Sequence, residues 1–343
     1  MSRKLVFNIL KFIVFLSLGV LLAWYVTKDL TSEQREELRN SFRYANYWWV
    51  ALAMAIGLLS HVIRALRWKM MLAPMGFHPR LSTTFHAVMI AYLSNMAVPR
   101  LGEITRCGIV QRYEKVQFDK AVGTLVVERS IDLVCLFLAT ALLFVTQFTR
   151  IHAFFSEKVI TPIGEKLLFS TNTLLLLIAV GVVLAVAIRI FVRRFSHTEA
   201  YLRLRLLLLN VRDGMYSIRH LQNFRLFLLY TFLIWFCYFA TAWLALYALS
   251  QTGHMGPNEA LAVLVFGTVG IISTPGGIGA YQLIVTETLA ALYGLDRTYA
   301  ISFSWLAWTC QTIMIIFVAL ISLLAVSRLS RAQKHEQATG DTP

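Results

Sequence analysis

Charge is scarce in this chain. Asp, Glu, Lys and Arg together make up 15% of its 343 residues, against about a quarter in a soluble domain. Cysteine is scarce too: Cys107, Cys135, Cys237 and Cys310 stand alone, in or beside apolar runs. No C-x-x-C occurs, which removes both a zinc ribbon and a disulfide framework and leaves packing as the role of each thiol. Walker A, H-E-x-x-H, G-x-S-x-G and D-x-D patterns are all missing, so neither an ATP site nor a familiar hydrolase site is expected. His78, His152, His197, His220, His254 and His335 show no ligand spacing, and His61 and His86, near the ends of apolar runs, read as interfacial. No metal, cofactor or nucleic-acid partner is expected. No stretch is large and polar enough to form a soluble catalytic domain, so the chain is not expected to be an enzyme.

What the chain has in excess is long apolar sequence. Hydrophobic residues make up 58% and the mean hydropathy is +0.65. Residues 226–249, 299–326 and 167–188 carry no charge at all. A helix rising about 1.5 Å per residue needs roughly 20 such residues to cross about 30 Å of hydrocarbon. Six segments meet that length: 5–26, 47–66, 121–147, 167–188, 226–249 and 299–326. The first follows Arg3 and Lys4 but lacks a small-x-small cleavage site, so it reads as a retained membrane helix. Two further regions are apolar but broken. Residues 82–98 and 103–114 flank Pro99-Arg100-Leu101-Gly102, and residues 259–273 and 279–293 flank Pro275-Gly276-Gly277-Ile278-Gly279. Pieces of 12–17 residues suit re-entrant helical hairpins better than crossings.

Basic residues collect in cytoplasmic loops. Segment 189–225 holds eight arginines against Glu199 and Asp213, the 64–80 loop holds Arg64, Arg67, Lys69 and Arg80 with no acid, and both termini are basic; all are assigned to the inside. Segment 27–46 balances four bases with four acids, and 250–258 has no base; both can face out. Six crossings with two hairpins satisfy every assignment, and the hairpins then enter from opposite faces. The pattern span, span, hairpin, span occurs twice, over 5–147 and 167–326. The expected fold is therefore an all-α integral membrane protein with six full spans plus two re-entrant helical hairpins, an inverted repeat in a single membrane domain with a cytoplasmic tail at 327–343. Its place is the cell membrane, with both termini cytoplasmic. Tyr44, Tyr47, Trp48 and Trp49 read as an aromatic belt, and 198–222 as an amphipathic helix on the inner leaflet.

Three charges lie inside a predicted span. Glu128, Arg129 and Asp132 follow a helix start near Ala121, which places them about 10–17 Å deep. Charges at that depth face the bundle interior and commonly mark a pathway; a structural ion pair that locks the helix to the first hairpin is the alternative. The first hairpin adds Arg100, Glu103 and Arg106. A helix opening beside two arginines offers amide donors and guanidinium forks to a phosphate, whereas simple headgroup anchoring is the competing reading. At the second hairpin, three glycines in the four positions 276–279 (Gly276, Gly277 and Gly279) allow close backbone approach. Gln282 and Glu287 follow, the latter without an obvious basic partner nearby, and Gln311 on the last span corresponds in position to Asp132.

The segment Val98-Pro99-Arg100-Leu101-Gly102-Glu103-Ile104-Thr105-Arg106, followed by Val127-Glu128-Arg129-Ser130-Ile131-Asp132-Leu133, resembles the P-x-R-x-G-E-x-x-R … E-R-x-x-D signature of the lysylphosphatidylglycerol synthase transmembrane, flippase-like family. Pro275-Gly276-Gly277-Ile278-Gly279 is similar to that family's second motif, and the resemblance spans about 10–326. It implies a lipid translocase. Members that make aminoacylated lipid carry an added cytoplasmic transfer domain; the chain to Pro343 resembles the stand-alone members, so aminoacyl transfer is not expected. The implied partner is a phospholipid or modified phospholipid with a phosphate-bearing headgroup. Arg100, Arg106 and Arg129 would attract the phosphate, Glu103, Glu128 and Asp132 would tune that charge or carry protons, and the stretch Pro275 to Gly279, with Gln282 and Gln311 nearby, would form the opposing gate. An integral-membrane transferase acting on lipid-linked sugars, with Glu103 or Asp132 as base, and a non-catalytic assembly partner are the alternatives.

Overall fold

A computed structural model describes residues 16–98, 100–155 and 223–339. The predicted span 167–188, the amphipathic stretch 198–222, most of the arginine-rich segment, the start of the first span and Pro99 lie outside the described residues. Every described element is helical. The order is α1 (Leu16–Thr27), α2 (Ser32–Arg43), α3 (Tyr47–Leu72), α4 (Leu81–Ala97), α5 (Leu101–Glu114), α6 (Phe118–Thr146), α7 (Phe148–Phe155), α8 (Phe224–Leu246), α9 (Pro257–Ser273), α10 (Ala280–Glu287) and α11 (Arg297–Thr339). Among the described residues, four helices are long and apolar enough to cross a membrane: Tyr47–Met75, Phe118–Thr146, Phe224–Leu246 and Arg297–Arg328. These coincide with four of the six predicted spans. The described residues are thus all helical, as in a multi-pass membrane protein.

One boundary differs from expectation. The second predicted span does not stop at 66, and Arg64 and Arg67 are not loop residues. Helix α3 runs on to Leu72 and ends in a turn at Ala73-Pro74-Met75, closed by Gly76 at φ 84°. The stop signal is that proline and the left-handed glycine behind it, because an arginine does not break a helix. Ser60, His61, Arg64 and Arg67 therefore form a polar stripe on a helix face, and all four are buried. His61 is not interfacial: its ring lies 4.6 Å from that of Tyr92.

The two broken regions form helix–turn–helix pairs, α4–α5 and α9–α10, and they start from opposite ends of the bundle. At one end, the Asn46 amide donates to the Ala248 carbonyl at 2.7 Å, and the Gln147 side chain donates to the Asn258 carbonyl at 2.9 Å. The Tyr293 hydroxyl joins both Gln147 and Asn258. That end thus gathers the base of α9–α10, the exit of α6 and the entry to α3. At the other end, Trp68, Leu72, Val116, Ala121 and Val326 share one core, with Phe77 and Leu81 packed on it. That end holds the base of α4–α5. The tips meet between the ends. A Cβ placed on Gly276 would lie 3.4 Å from Met96 Cγ near the end of α4, and Trp308 on α11 donates its indole N–H to the Gly276 carbonyl at 2.8 Å.

Each tip is tight for a local reason. In the first, Gly102 leaves no room for a side chain, since a Cβ there would stand 2.1 Å from the Ala91 carbonyl oxygen. In the second, the Gly279 amide donates to Gln282 Oε1 at 2.8 Å, which satisfies one free donor at the start of α10. Gly279, at φ 75°, approaches α1 directly, and a Cβ on it would stand 2.0 Å from the Gly19 carbonyl oxygen. The close approach that the glycines permit is thus occupied by a helix of the same chain.

Glu287 has a partner after all. Arg297, across the turn between α10 and α11, reaches it at 2.6 Å. Both side chains are nearly half exposed, and such pairs contribute about 0–1 kcal/mol. Glu287→Gln is therefore expected to leave the thermal midpoint of the purified protein within a degree or two, read by a melting curve in nanodiscs.

Candidate functional site

The site is built where α3, α5, α6 and α8 come together. Glu128 lies ten residues into α6, about 15 Å from its start, and Arg64 lies eight residues from the end of α3, about 12 Å. The two therefore sit at similar depth from the same end of the bundle. Arg106 on α5 approaches Glu128 with both terminal nitrogens, Nη1 to Oε1 at 3.1 Å and Nη2 to Oε2 at 3.0 Å. This is the fork-to-carboxylate geometry that makes arginine pairs strong and directional. Arg64 donates to Glu128 Oε1 as well, to Asp132 Oδ2 at 2.8 Å and to the Tyr238 hydroxyl at 2.9 Å. Arg67 completes the set, donating to Asp132 Oδ1 at 2.9 Å and to the Thr231 hydroxyl at 3.2 Å.

Helical spacing explains why these side chains meet. Arg64 and Arg67 are three apart on α3, and Glu128 and Asp132 four apart on α6, so each pair shares a face. Trp68 supports the wall: its indole N–H donates to Thr124 at 2.9 Å, and its ring lies 3.8 Å from the Arg106 guanidinium carbon. That stacking suits a delocalised cation in a dry setting.

Arg67 and Glu128 are fully buried, and Arg64 and Arg106 nearly so. Three guanidinium groups face two carboxylates, which leaves one positive charge in excess. The Nε–H groups of Arg64, Arg67 and Arg106 are buried without a partner. Unpaired donors on a charged group in low dielectric are costly, so the cluster as it stands is short of acceptors.

A cleft of about 260 Å³ opens beside this cluster, lined among others by Arg64, Tyr92, Asn95, Glu103, Arg106 and Arg129. Much of that volume is open solvent, and the enclosed cavity volume is only about 10 Å³, far below the ~300–1,000 Å³ of an ordinary ligand pocket. Arg129 and Glu103 form its rim, 3.7 Å apart and 46% and 39% exposed. Arg129 stands only at 4.0 Å from Asp132, so the primary partners of Asp132 are Arg64 and Arg67.

The twelve residues singled out in the sequence divide accordingly. Arg106, Glu128 and Asp132 belong to the cluster, and Glu103 and Arg129 to the rim. Arg100 is exposed at the first tip with φ 68° and makes no ion pair among the described residues. The Gly102 amide, expected to help receive an anion, is occupied by the Asn95 side chain at 2.8 Å. Pro275, Gly276, Gly277, Gly279 and Gln282 form the second tip, where Gln282 is fully buried and its Nε2 unpartnered. Gln311 is half-buried and makes no side-chain hydrogen bond among the described residues. Arg64 and Arg67 are the residues that loop counting missed. The available signal was their i, i+3 spacing in line with Ser60 and His61, within a helix whose first breaker is Pro74.

The described elements thus define a helical membrane protein with a dense ion cluster buried among α3, α5, α6 and α8. The description of the family Lysylphosphatidylglycerol synthase TM region matches residues 8–320, and the chain belongs to that family. No curated protein and no solved structure matched it. Family membership indicates a lipid-related function in the membrane.

Proposed function

We propose that this protein is a lipid translocase that moves a phosphate-bearing lipid headgroup between leaflets. The observation that carries this reading is the buried cluster of Arg64, Arg67, Arg106, Glu128 and Asp132, whose surplus positive charge and unpartnered donors border a cleft. A buried excess charge favours capture of an anion. Both carboxylates are held by arginines, which favours transport over group transfer, because neither is left free as a base.

On this reading α4–α5 and α9–α10 are re-entrant hairpins of an inverted repeat, entering from opposite faces and meeting inside the bilayer. Charge supports the orientation. The end formed by 27–46, 147–155, 247–259 and 287–299 carries six bases and seven acids, whereas the end formed by 69–81, 112–120, 223–225 and 326–328 carries seven bases and two acids. The second end is cytoplasmic by the positive-inside rule. Both termini then face the cytoplasm, in the cell membrane. The cleft is too small for a headgroup in this conformation, so the hairpin tips must part during transport.

Met96 and Gly276 give a direct test. A Cβ on Gly276 would stand 3.6 Å from the Met96 Cβ, within the ~3.5–4.5 Å that a disulfide requires. In liposomes, the protein should accelerate flipping of fluorescently labelled phosphatidylglycerol, and not of labelled glucosylceramide, which has no phosphate. The Met96→Cys/Gly276→Cys protein should lose that activity under oxidation and regain it with reductant, with the cross-link verified by peptide mass spectrometry. Equal flipping of both lipids, or none of any phospholipid, would refute the translocase. Full activity in the cross-linked protein would refute the parting of the tips.

A further inference from the structure

The transport reading leaves one buried titratable side chain without a task. His61 lies fourteen residues from the start of α3 and eleven from its end, about 21 Å and 16 Å along the axis, so it stands near the middle of the bundle. It is 4% exposed. Its ring rests 4.6 Å from that of Tyr92 on α4, and Arg64 follows it by three residues on the same face of α3. Tyr92 and Arg64 both line the cleft beside the ion cluster. The imidazole is therefore one side chain removed from the place where a headgroup phosphate would enter.

A histidine kept for packing has its ring nitrogens satisfied. His86 fits that description, since its Nδ1 meets the Ser322 hydroxyl at 3.0 Å. His61 does not: its Nδ1 is buried and has no partner among the described residues. The helices packed on α3 offer it none. Tyr92 of α4 meets it ring to ring. Tyr238 of α8 holds its hydroxyl on Arg64, and Glu128 and Asp132 of α6 are likewise held by Arg64. Helix α11, which also packs on α3, has no acid, lysine, arginine or histidine from 298 to 327. The charge that acts on the ring is the Arg64 guanidinium.

That arrangement ties a proton to an anion. Three guanidinium groups over two carboxylates already leave one positive charge in excess, and an imidazolium one turn away would add a second in low dielectric. A phosphate beside Arg64 cancels the first, and the ring can then hold a proton. By linkage, a proton on His61 equally strengthens capture of the anion. We infer, resting on the translocase reading, that His61 is the coupling residue and that one proton travels with each anionic headgroup. The step is a proton transfer and nothing more. A ring nitrogen takes a proton from water on the side where the headgroup enters and returns it to water on the other; only an N–H bond forms and breaks. Proton and monoanion together carry no net charge, so the driving force is a pH difference rather than a voltage.

The test uses liposomes with labelled phosphatidylglycerol in both leaflets, and potassium with valinomycin to clamp the voltage at zero. Leaflet distribution is read by dithionite quenching, with protein-free liposomes as the baseline. With the outside one pH unit more acid, the parent protein should gather label in the inner leaflet, about tenfold over the outer at one proton per lipid. Reversing the gradient should reverse the asymmetry, and a protonophore should abolish it. Any flipping that His61→Gln or His61→Asn retains should be blind to the gradient. A second measurement needs no variant: 15N-histidine solid-state NMR in nanodiscs, with the His61 resonance assigned by its through-space contact to the Tyr92 ring. Replacing phosphatidylcholine by phosphatidylglycerol at constant pH should turn that imidazole into imidazolium. If the parent flips label yet leaves it evenly distributed under the gradient, the inference is overturned and the translocase reading stands. If the parent moves no phospholipid, both fall. Accumulation that survives in either variant, or a His61 resonance indifferent to the lipid, would show that the proton is carried elsewhere.

Discussion

Glu128→Gln should be the most damaging single substitution in this protein, with a loss of about 3–5 kcal/mol of stability. Glu128 accepts from Arg64 and from both terminal nitrogens of Arg106, and Arg67 stands 3.7 Å from it, all with side chains 4% exposed or less. Removing its charge leaves three buried guanidinium groups facing Asp132 alone. The amide also turns a donor towards donors, so at least one arginine loses a partner in low dielectric. A melting curve and size-exclusion profile in nanodiscs would show the effect, as a midpoint lowered by many degrees or as aggregation on extraction. Arg129→Gln is the internal comparison: that side chain is 46% exposed and its removal should barely move the midpoint. If Glu128→Gln melts like the parent protein, the cluster is hydrated in the membrane and the electrostatic account is wrong.

Gly279→Ala should come next, at roughly 2–5 kcal/mol, from positive-φ strain and overpacking together. The residue sits at φ 75°, and its added carbon would stand 2.0 Å from the Gly19 carbonyl oxygen and 2.7 Å from the Ala23 amide nitrogen. Neither is the movable end of a side chain, so α1 must retreat from the second tip. Gly294→Ala separates the two contributions. It has φ 71° with nothing within 4 Å, so only the conformational penalty of about 1 kcal/mol remains. Melting of the two variants side by side measures the close approach by difference. Equal losses would mean that α1 does not rest on this tip.

The interruptions of the hydrophobic pattern were readable because their causes are local. Pro257 opens α9 and Gly256 caps it by donating to Glu259 at 2.9 Å; a proline at a helix start and a glycine at a turn act through neighbouring dihedrals alone. The end of α3 lies beyond the charges at Arg64 and Arg67, because a helix ends where φ or a missing N–H forbids another turn, here at Pro74 and Gly76. The glycine segment at 276–279 did not reveal what would fill the space it leaves. The occupants are Met96, Trp308 and Gly19, none of them adjacent to it in the chain.

The amino-acid sequence by itself determined the class of protein, its long apolar helices, its two broken regions and the unequal charge of its ends. Each follows from short-range physics: the transfer of apolar side chains out of water, the geometry of glycine and proline, and the cost of burying charge. Only the tertiary structure decided which charges pair. Glu128 and Asp132 lie 64 and 68 residues from Arg64, and the sequence offers several arginines to each. The choice falls to those on helix faces packed against α6, because a buried charge is stable only beside a partner at hydrogen-bond distance, and packing alone sets that distance.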